Sequence, residues 1–197
     1  MWSGCGLHPA DVVFALDASG SIWGPDFDSQ LDFVNNLVGS FTVGPQGVRV
    51  GVATFGNQPK QEFNLNTFNN VGDIQTAISH ITQARGSTNT ASALHSIRRE
   101  FFEEQGRTGV VKVAIVITDG QSNEAQATKR QAQLLRDAGV HVFAIGVGRN
   151  VAEEELEAIA SQPSSSHVFM VDSFQALESI SIVLAARTCE GGFDSEG

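Results

Sequence analysis

The chain has 197 residues, 41% of them hydrophobic and 17% charged, with a formal net charge of -10 at pH 7. That length and balance fit one globular domain with a sizeable core and exclude a disordered or repetitive chain. The acidic balance excludes a nucleic-acid surface, which needs clustered Lys and Arg to displace counterions from phosphates, and points instead to cations or basic partners. No stretch nears the roughly 20 consecutive apolar residues of a membrane helix, so no membrane insertion is expected. The opening MWSGCG lacks the apolar core of a secretory signal, so any export signal is expected to have been removed.

In chain order, residues 11–17 (DVVFALD) are a short apolar run bounded by turn residues, too short for a helix, and predict a buried strand. Phe27, Leu31, Val34, Leu37, Val38 and Phe41 follow at separations of three and four, which builds one apolar helix face. A strand is predicted at 48–55 (VRVGVATF), and the alternating run 61–65 (QEFNL) reads as its edge hairpin partner. Helical spacing returns at 74–81 and 91–102. A strand at 110–118 (VVKVAIVIT), a helix at 125–138, a strand at 140–147 (VHVFAIGV), a helix at 152–160, a strand at 167–171 (HVFMV) and a helix at 174–186 complete the series.

Five near-continuously apolar strands separated by helices are what a sheet covered on both faces requires. Right-handed crossovers return each helix onto the sheet. The predicted fold class is therefore α/β: a doubly wound, mostly parallel six-stranded sheet with one antiparallel edge strand and helices on both faces. The domain is expected over residues 11–189, after an N-terminal segment 1–10 that carries Cys5. Residues 190–197 (EGGFDSEG) mix Gly, Ser and acids without periodicity and read as a flexible acidic tail or linker. Cys5 and Cys189 are the only cysteines. They flank the fold instead of sitting in a short redox or metal spacing, which suggests a terminal disulfide and hence secretion, against the alternative of two unpaired thiols.

In a doubly wound sheet, ligands bind beyond the carboxyl ends of the strands, where the strand order reverses. The first strand ends in Asp17-Ala18-Ser19-Gly20-Ser21, and an extended loop would project residues 17, 19 and 21 to one side. The fourth strand in the series ends in VITDGQSN, with Asp119 at an equivalent place, and Gly86-Ser87-Thr88-Asn89-Thr90 opens a helix that can reach the same crevice. Two carboxylates and three hydroxyls, without imidazole or thiolate, make an all-oxygen site suited to a hard cation. Mg2+ is the first choice, with Mn2+ or Ca2+ as alternatives. Taken singly, Asp17, Ser19, Ser21 and Asp119 are ordinary turn residues; it is their combination that favours a metal.

That combination resembles the metal-ion-dependent adhesion site of von Willebrand factor type A domains: Asp17-x-Ser19-x-Ser21, then Thr88-Asn89-Thr90 before a helix, then Thr118-Asp119-Gly120 at a strand end. The likeness extends from Asp11 to about Ala186 and takes in AIGVG at 144–148. It implies that Ser19, Ser21 and Thr88 supply hydroxyl ligands and that Asp17 and Asp119 act directly or through water. It further implies an open coordination position for an acidic side chain of a partner, and a last helix that moves along the sheet on ligand engagement. In this frame Cys5 and Cys189 lie together at the end of the sheet opposite the metal, where a bridge would tether the last helix. The partner implied is an extracellular matrix or cell-surface protein, and the domain is one of several in a larger secreted chain.

Two departures stand out. Ala91-Ser92 occupies a place where Gly is common in the family. The 148–152 segment has no room for the extra helix of collagen-binding integrin domains, so collagen is only one candidate partner. The domain looks closer to matrix-protein and plasma-protein members. An enzyme is not expected: a GxSxG elbow would need Gly where Asp17 stands, the GxGxxG fingerprint is absent, and Ser19 stands where an aspartyl phosphatase would carry its second acid. The competing class is a structural matrix component in which the metal is incidental. Asp26 and Asp28 are expected to serve the first helical turn, Glu153 to Glu155 to form a solvated helix start, and the five histidines to be structural or solvent-facing.

Overall fold

The computed structural model describes residues 8–190. Six strands, β1 (Ala10–Asp17), β2 (Val48–Phe55), β3 (Pro59–Phe63), β4 (Val111–Thr118), β5 (Val140–Val147) and β6 (Val168–Val171), form one sheet in the order β3-β2-β1-β4-β5-β6. All neighbours are parallel except β2 with β3, as the sequence predicts. The chain builds outward from β1 on one side, then crosses over and builds outward on the other. The order therefore reverses between β1 and β4, and the crevice beyond their carboxyl ends is the switch point.

Every residue of β1 is buried, and alternation divides them between two cores. Val12, Phe14 and Leu16 enter one core with Phe27, Leu31, Val34, Ile74, Ile78 and Leu184, contributed by α1 (Gly24–Gly39), α2 (Val71–Ser79) and α7 (Ser181–Glu190). Val13 and Ala15 enter the other with Leu94, Phe101, Leu135 and Leu156, from the side of α3 (Thr90–Ser96), α4 (Ala125–Asp137) and α5 (Glu153–Ile159). A short helix, α6 (Ser164–His167), precedes β6. Burying each large apolar side chain contributes roughly 1.5–3 kcal/mol before entropy is counted, so β1, which feeds both layers, is the spine of the fold.

Three elements differ from expectation in form. The edge strand runs over 59–63 and not 61–65, and its register with β2 shifts between Val52 and Ala53; Leu65 lies beyond the strand yet is fully buried. The helix expected at 91–102 is α-helical only to Ser96 and continues as a π-helix over Ile97–Glu103, which sets Ile97, Phe101 and Phe102 into the core. The helix expected at 174–186 begins as a 3-10 segment, Phe174–Ile180. There Ser179 and Ser181 donate hydroxyl hydrogen bonds to the carbonyls of Ala176 (2.6 Å) and Glu178 (2.9 Å), local bonds that compete with α-helical pairing. Cys189 is disulfide-bonded; Cys5, the 1–7 segment and the 191–197 tail lie outside the described residues.

Candidate metal centre

Three loops meet at the switch point: 18–23 after β1, 85–89 before α3, and 119–124 after β4. Their backbones are joined directly. Gly20 N–H donates to Gly86 O (2.8 Å), Arg85 N–H to Ala18 O (2.7 Å), and Asn123 N–H to Thr88 O (3.0 Å). Gly86 adopts φ +95°, a left-handed conformation that suits glycine. The 85–89 loop is also fastened to the end of β2, where Asn89 N–H donates to Gly56 O (3.0 Å) and Ser87 donates through N–H and hydroxyl to Asn57 Oδ1 (2.8 and 2.7 Å). Asn89 then caps α3 by accepting from Ser92 N–H at 3.1 Å, which places Thr88 just outside the helix.

Three of the five expected side chains, Ser19, Ser21 and Asp119, are hydrogen-bonded to one another, and the Asp17 carboxylate joins them through the Ser19 backbone N–H. Asp17 is fully buried; one carboxylate oxygen accepts from Ser19 N–H (2.8 Å) and the other from the Thr118 hydroxyl (2.8 Å). The hydroxyls of Ser19 and Ser21 lie 3.1 Å apart, and the Ser21 hydroxyl reaches both oxygens of Asp119, at 3.0 and 3.1 Å. Thr88, half-buried, joins through its backbone bond to Asn123, whereas Thr90 is buried at the start of α3.

Burial, followed by the nearby Asp17 carboxylate, pushes Asp119 up to about 6, since two like charges in a poorly solvated crevice oppose ionisation. A divalent cation would neutralise both carboxylates at once. Among the described residues no three His, Cys, Asp or Glu side chains gather as a metal cluster. The donors on offer are thus carboxylate and hydroxyl oxygens, the chemistry that suits a hard ion, which Asp17, Ser19, Ser21, Thr88 and Asp119 would hold.

Several supporting residues carry no local signal in the sequence. Gln30, fully buried on α1, donates to Asp17 O at 3.0 Å. Gln83 donates to both Ser19 O and Ile22 O at 2.8 Å and so holds the first loop from outside. Glu155 accepts from Ser122 N–H with both oxygens (3.1 and 3.2 Å), so this glutamate anchors the 119–124 loop and is not simply part of a solvated helix start. Asp26, placed in the first turn of α1 as expected, also accepts from Gln175 Nε2 at 2.9 Å. Trp23, beside the first loop, is 70% exposed.

The von Willebrand factor type A domain family matches residues 11–182. The human collagen alpha-1(XXI) chain is 34% identical over 95% of this chain and 19% of its own length; mouse matrilin-2 is 32% identical over 98% and 20%. The chain therefore spans about a fifth of the length of these relatives. Among solved structures, proximal thread matrix protein 1 from the mussel byssus, with a zinc-occupied MIDAS motif, superposes with a TM-score of 0.86 at 33% identity, covering 95% of this chain and 47% of that one. The family match covers most of the chain and the sheet order agrees with the expected fold, and the chain belongs to the von Willebrand factor type A domain family.

Proposed function

We propose that this domain is a non-enzymatic adhesion module of a secreted, extracellular protein, which captures an acidic side chain of a partner through a bound Mg2+, with Mn2+ or Ca2+ as alternatives. The observation that carries this reading is the cluster of oxygen side chains at the ends of β1 and β4 and in the loops that follow, Asp17, Ser19, Ser21 and Asp119, linked by hydrogen bonds through side chains and the Ser19 backbone N–H at the switch point, with Asp119 pushed up to about 6. A cation held there by neutral hydroxyls would keep net positive charge and supply an open position for a carboxylate. Asp17, Thr118 and Gln30 keep the first loop in place; Glu155 does the same for the third. Among the described residues Ser19 and Ser21 hydrogen-bond to each other and to a carboxylate and to no imidazole, which gives no support to nucleophilic catalysis, a chemistry that needs an adjacent base. Trp23 offers exposed aromatic surface on the same rim, a residue type that anchors protein interfaces. The zinc-occupied motif of the mussel relative and the matrix proteins among the relatives support a matrix or cell-surface protein as partner, collagen being one candidate. The fifth of each relative that is spanned supports a parent chain with further domains.

The test is thermal unfolding in MgCl2 and in EDTA, paired with capture of matrix proteins under the same conditions. At a hundredfold excess over Kd, Mg2+ should add about 2.7 kcal/mol of stability, a rise in Tm of roughly 5–10 °C for a domain of this size. Asp119→Ala should abolish both the rise and the capture. Capture that survives EDTA and the substitution would favour a structural matrix component instead.

A further inference from the structure

Among the described residues, Arg85 is the only one other than glycine with a positive φ, +64°. In that left-handed region a side chain crowds the following carbonyl, so glycine or asparagine normally stands there. The conformation is imposed by the neighbours. Arg85 N–H donates to Ala18 O just after β1 (2.7 Å), and the Arg85 carbonyl lies so close to Gly56 that a Cβ there would meet it at 2.3 Å. The next residue, Gly86, stands at φ +95° and accepts from Gly20 N–H (2.8 Å), between Ser19 and Ser21. Arg85 is thus one residue from the hydroxyl-bearing loop, in a backbone that glycine would fit with less strain. Nor does the fold use its guanidinium. Arg107, Arg136 and Arg187 donate to backbone carbonyls, and Arg98 and Arg99 pair with Glu103. Arg85 is exposed, and its guanidinium makes no hydrogen bond, ion pair or ring contact among the described residues. The segments bonded to its loop, 18–23 and 56–58, carry no acidic residue.

The strained backbone and the unengaged cation are independent observations, and both point away from a role in the fold. Strain kept at an exposed position marks a side chain that acts on something outside. Charge says what that is. The chain carries a net charge of -10, so an acidic partner is repelled at long range, and a cation at the candidate metal site offers it a single seat. We propose that Arg85 is a second anchor for the partner, which presents two neighbouring acidic side chains, one for the cation and one for the guanidinium. A planar guanidinium grips a carboxylate through two parallel N–H bonds, which an ammonium cannot do. The role of Arg85 rests on the metal-dependent capture proposed above and names a further requirement on its partner.

The probes are N-acetylated, C-amidated peptides with two acidic residues separated by none to three glycines, each paired with versions in which one acid is replaced by its amide. They are titrated in MgCl2 into the 15N-labelled chain and followed by amide chemical shifts. Corrected for the statistical advantage of two acids, the best-spaced diacid should bind about two- to fivefold more tightly than either monoacid, the range of an exposed ion pair. That gain should vanish in Arg85→Asn, whose side chain tolerates the left-handed backbone, and shrink in Arg85→Lys, which keeps the charge without the fork. The Mg2+-dependent rise in Tm should be unchanged in both variants, which separates a lost partner contact from a disturbed loop. Arg149, exposed after β5 and also unpaired among the described residues, stands two strands from β1, about 10 Å at the usual strand spacing; Arg149→Gln should leave the gain in place. A gain that survives Arg85→Asn, that falls equally in Arg149→Gln, or that no diacid shows while the monoacids bind in Mg2+ would overturn the role of Arg85 and leave the metal reading standing. Binding of no acidic peptide in Mg2+ would sink both.

Discussion

Asp17 holds its loop in shape while facing the site. Both of its oxygens are engaged, by Ser19 N–H and by the Thr118 hydroxyl, which leaves Asp119 and the hydroxyls as the more adaptable donors. The glycines around it are spacing devices. A Cβ on Gly56 would meet Arg85 O at 2.3 Å, and one on Gly51 would meet the Phe101 ring at 2.7 Å. Gly56→Ala must therefore push the 85–89 loop away from β2, whereas Gly51→Ala strains only the core. Each should cost about 1–3 kcal/mol of stability, as overpacking does. In thermal unfolding with and without MgCl2, Gly56→Ala should also shrink the Mg2+-dependent rise in Tm, while Gly51→Ala leaves it intact; equal increments in both variants would break the link between Gly56 and the metal loop.

The last helix and the segment before it are fastened to their neighbours by named side-chain contacts. The 3-10 segment before α7 is tied to α1 by Gln175 to Asp26 (2.9 Å) and by Asn36 to Glu178 (2.7 Å). Arg187 of α7 donates to Ser166 O at 2.7 Å and lies 5.2 Å from the centre of the Phe169 ring. Cys189 fixes the end of the helix covalently. Cys189→Ser should lower stability by up to about 4–5 kcal/mol, the chain-entropy figure for closing a loop of this length. Amide exchange over 181–190 should also accelerate. If exchange there stayed at its wild-type rate, the bridge would not restrain the helix.

The end of the domain opposite the candidate metal site is held by a buried ion pair. Asp11, fully buried, accepts from Arg107 Nε (2.8 Å) and from its backbone N–H (2.6 Å). The same guanidinium donates to the carbonyls of Ala10, Pro45 and Gly47, so one side chain ties β1 to the entries of β2 and β4. Arg107→Met would leave the Asp11 carboxylate buried without its charge partner and should cost roughly 3–5 kcal/mol. The double variant Asp11→Leu with Arg107→Met removes both charges and should recover much of that loss. Urea unfolding of the single and double variants measures both; a single variant as stable as wild type would show that the pair does not hold this end together.

Apolar patterning placed five strands to within a residue, the edge strand with a two-residue offset, and the main helices, because a period of two or of 3.6 residues records which face is buried wherever the element sits. The loops of the candidate site were legible for a similar reason: Asp17, Ser19 and Ser21 lie within five residues, and Thr88 and Asp119 each stand in a short motif. What holds those loops was decided only in three dimensions. Thr118 meets Asp17 across 101 residues, Arg107 meets Asp11 across 96, and Glu155 meets Ser122 across 33. Contacts of that kind depend on strand order and on which helix end lands beside which loop. The switch between α, π and 3-10 winding likewise answers to packing and to competing side-chain bonds, which helical periodicity in the sequence does not record.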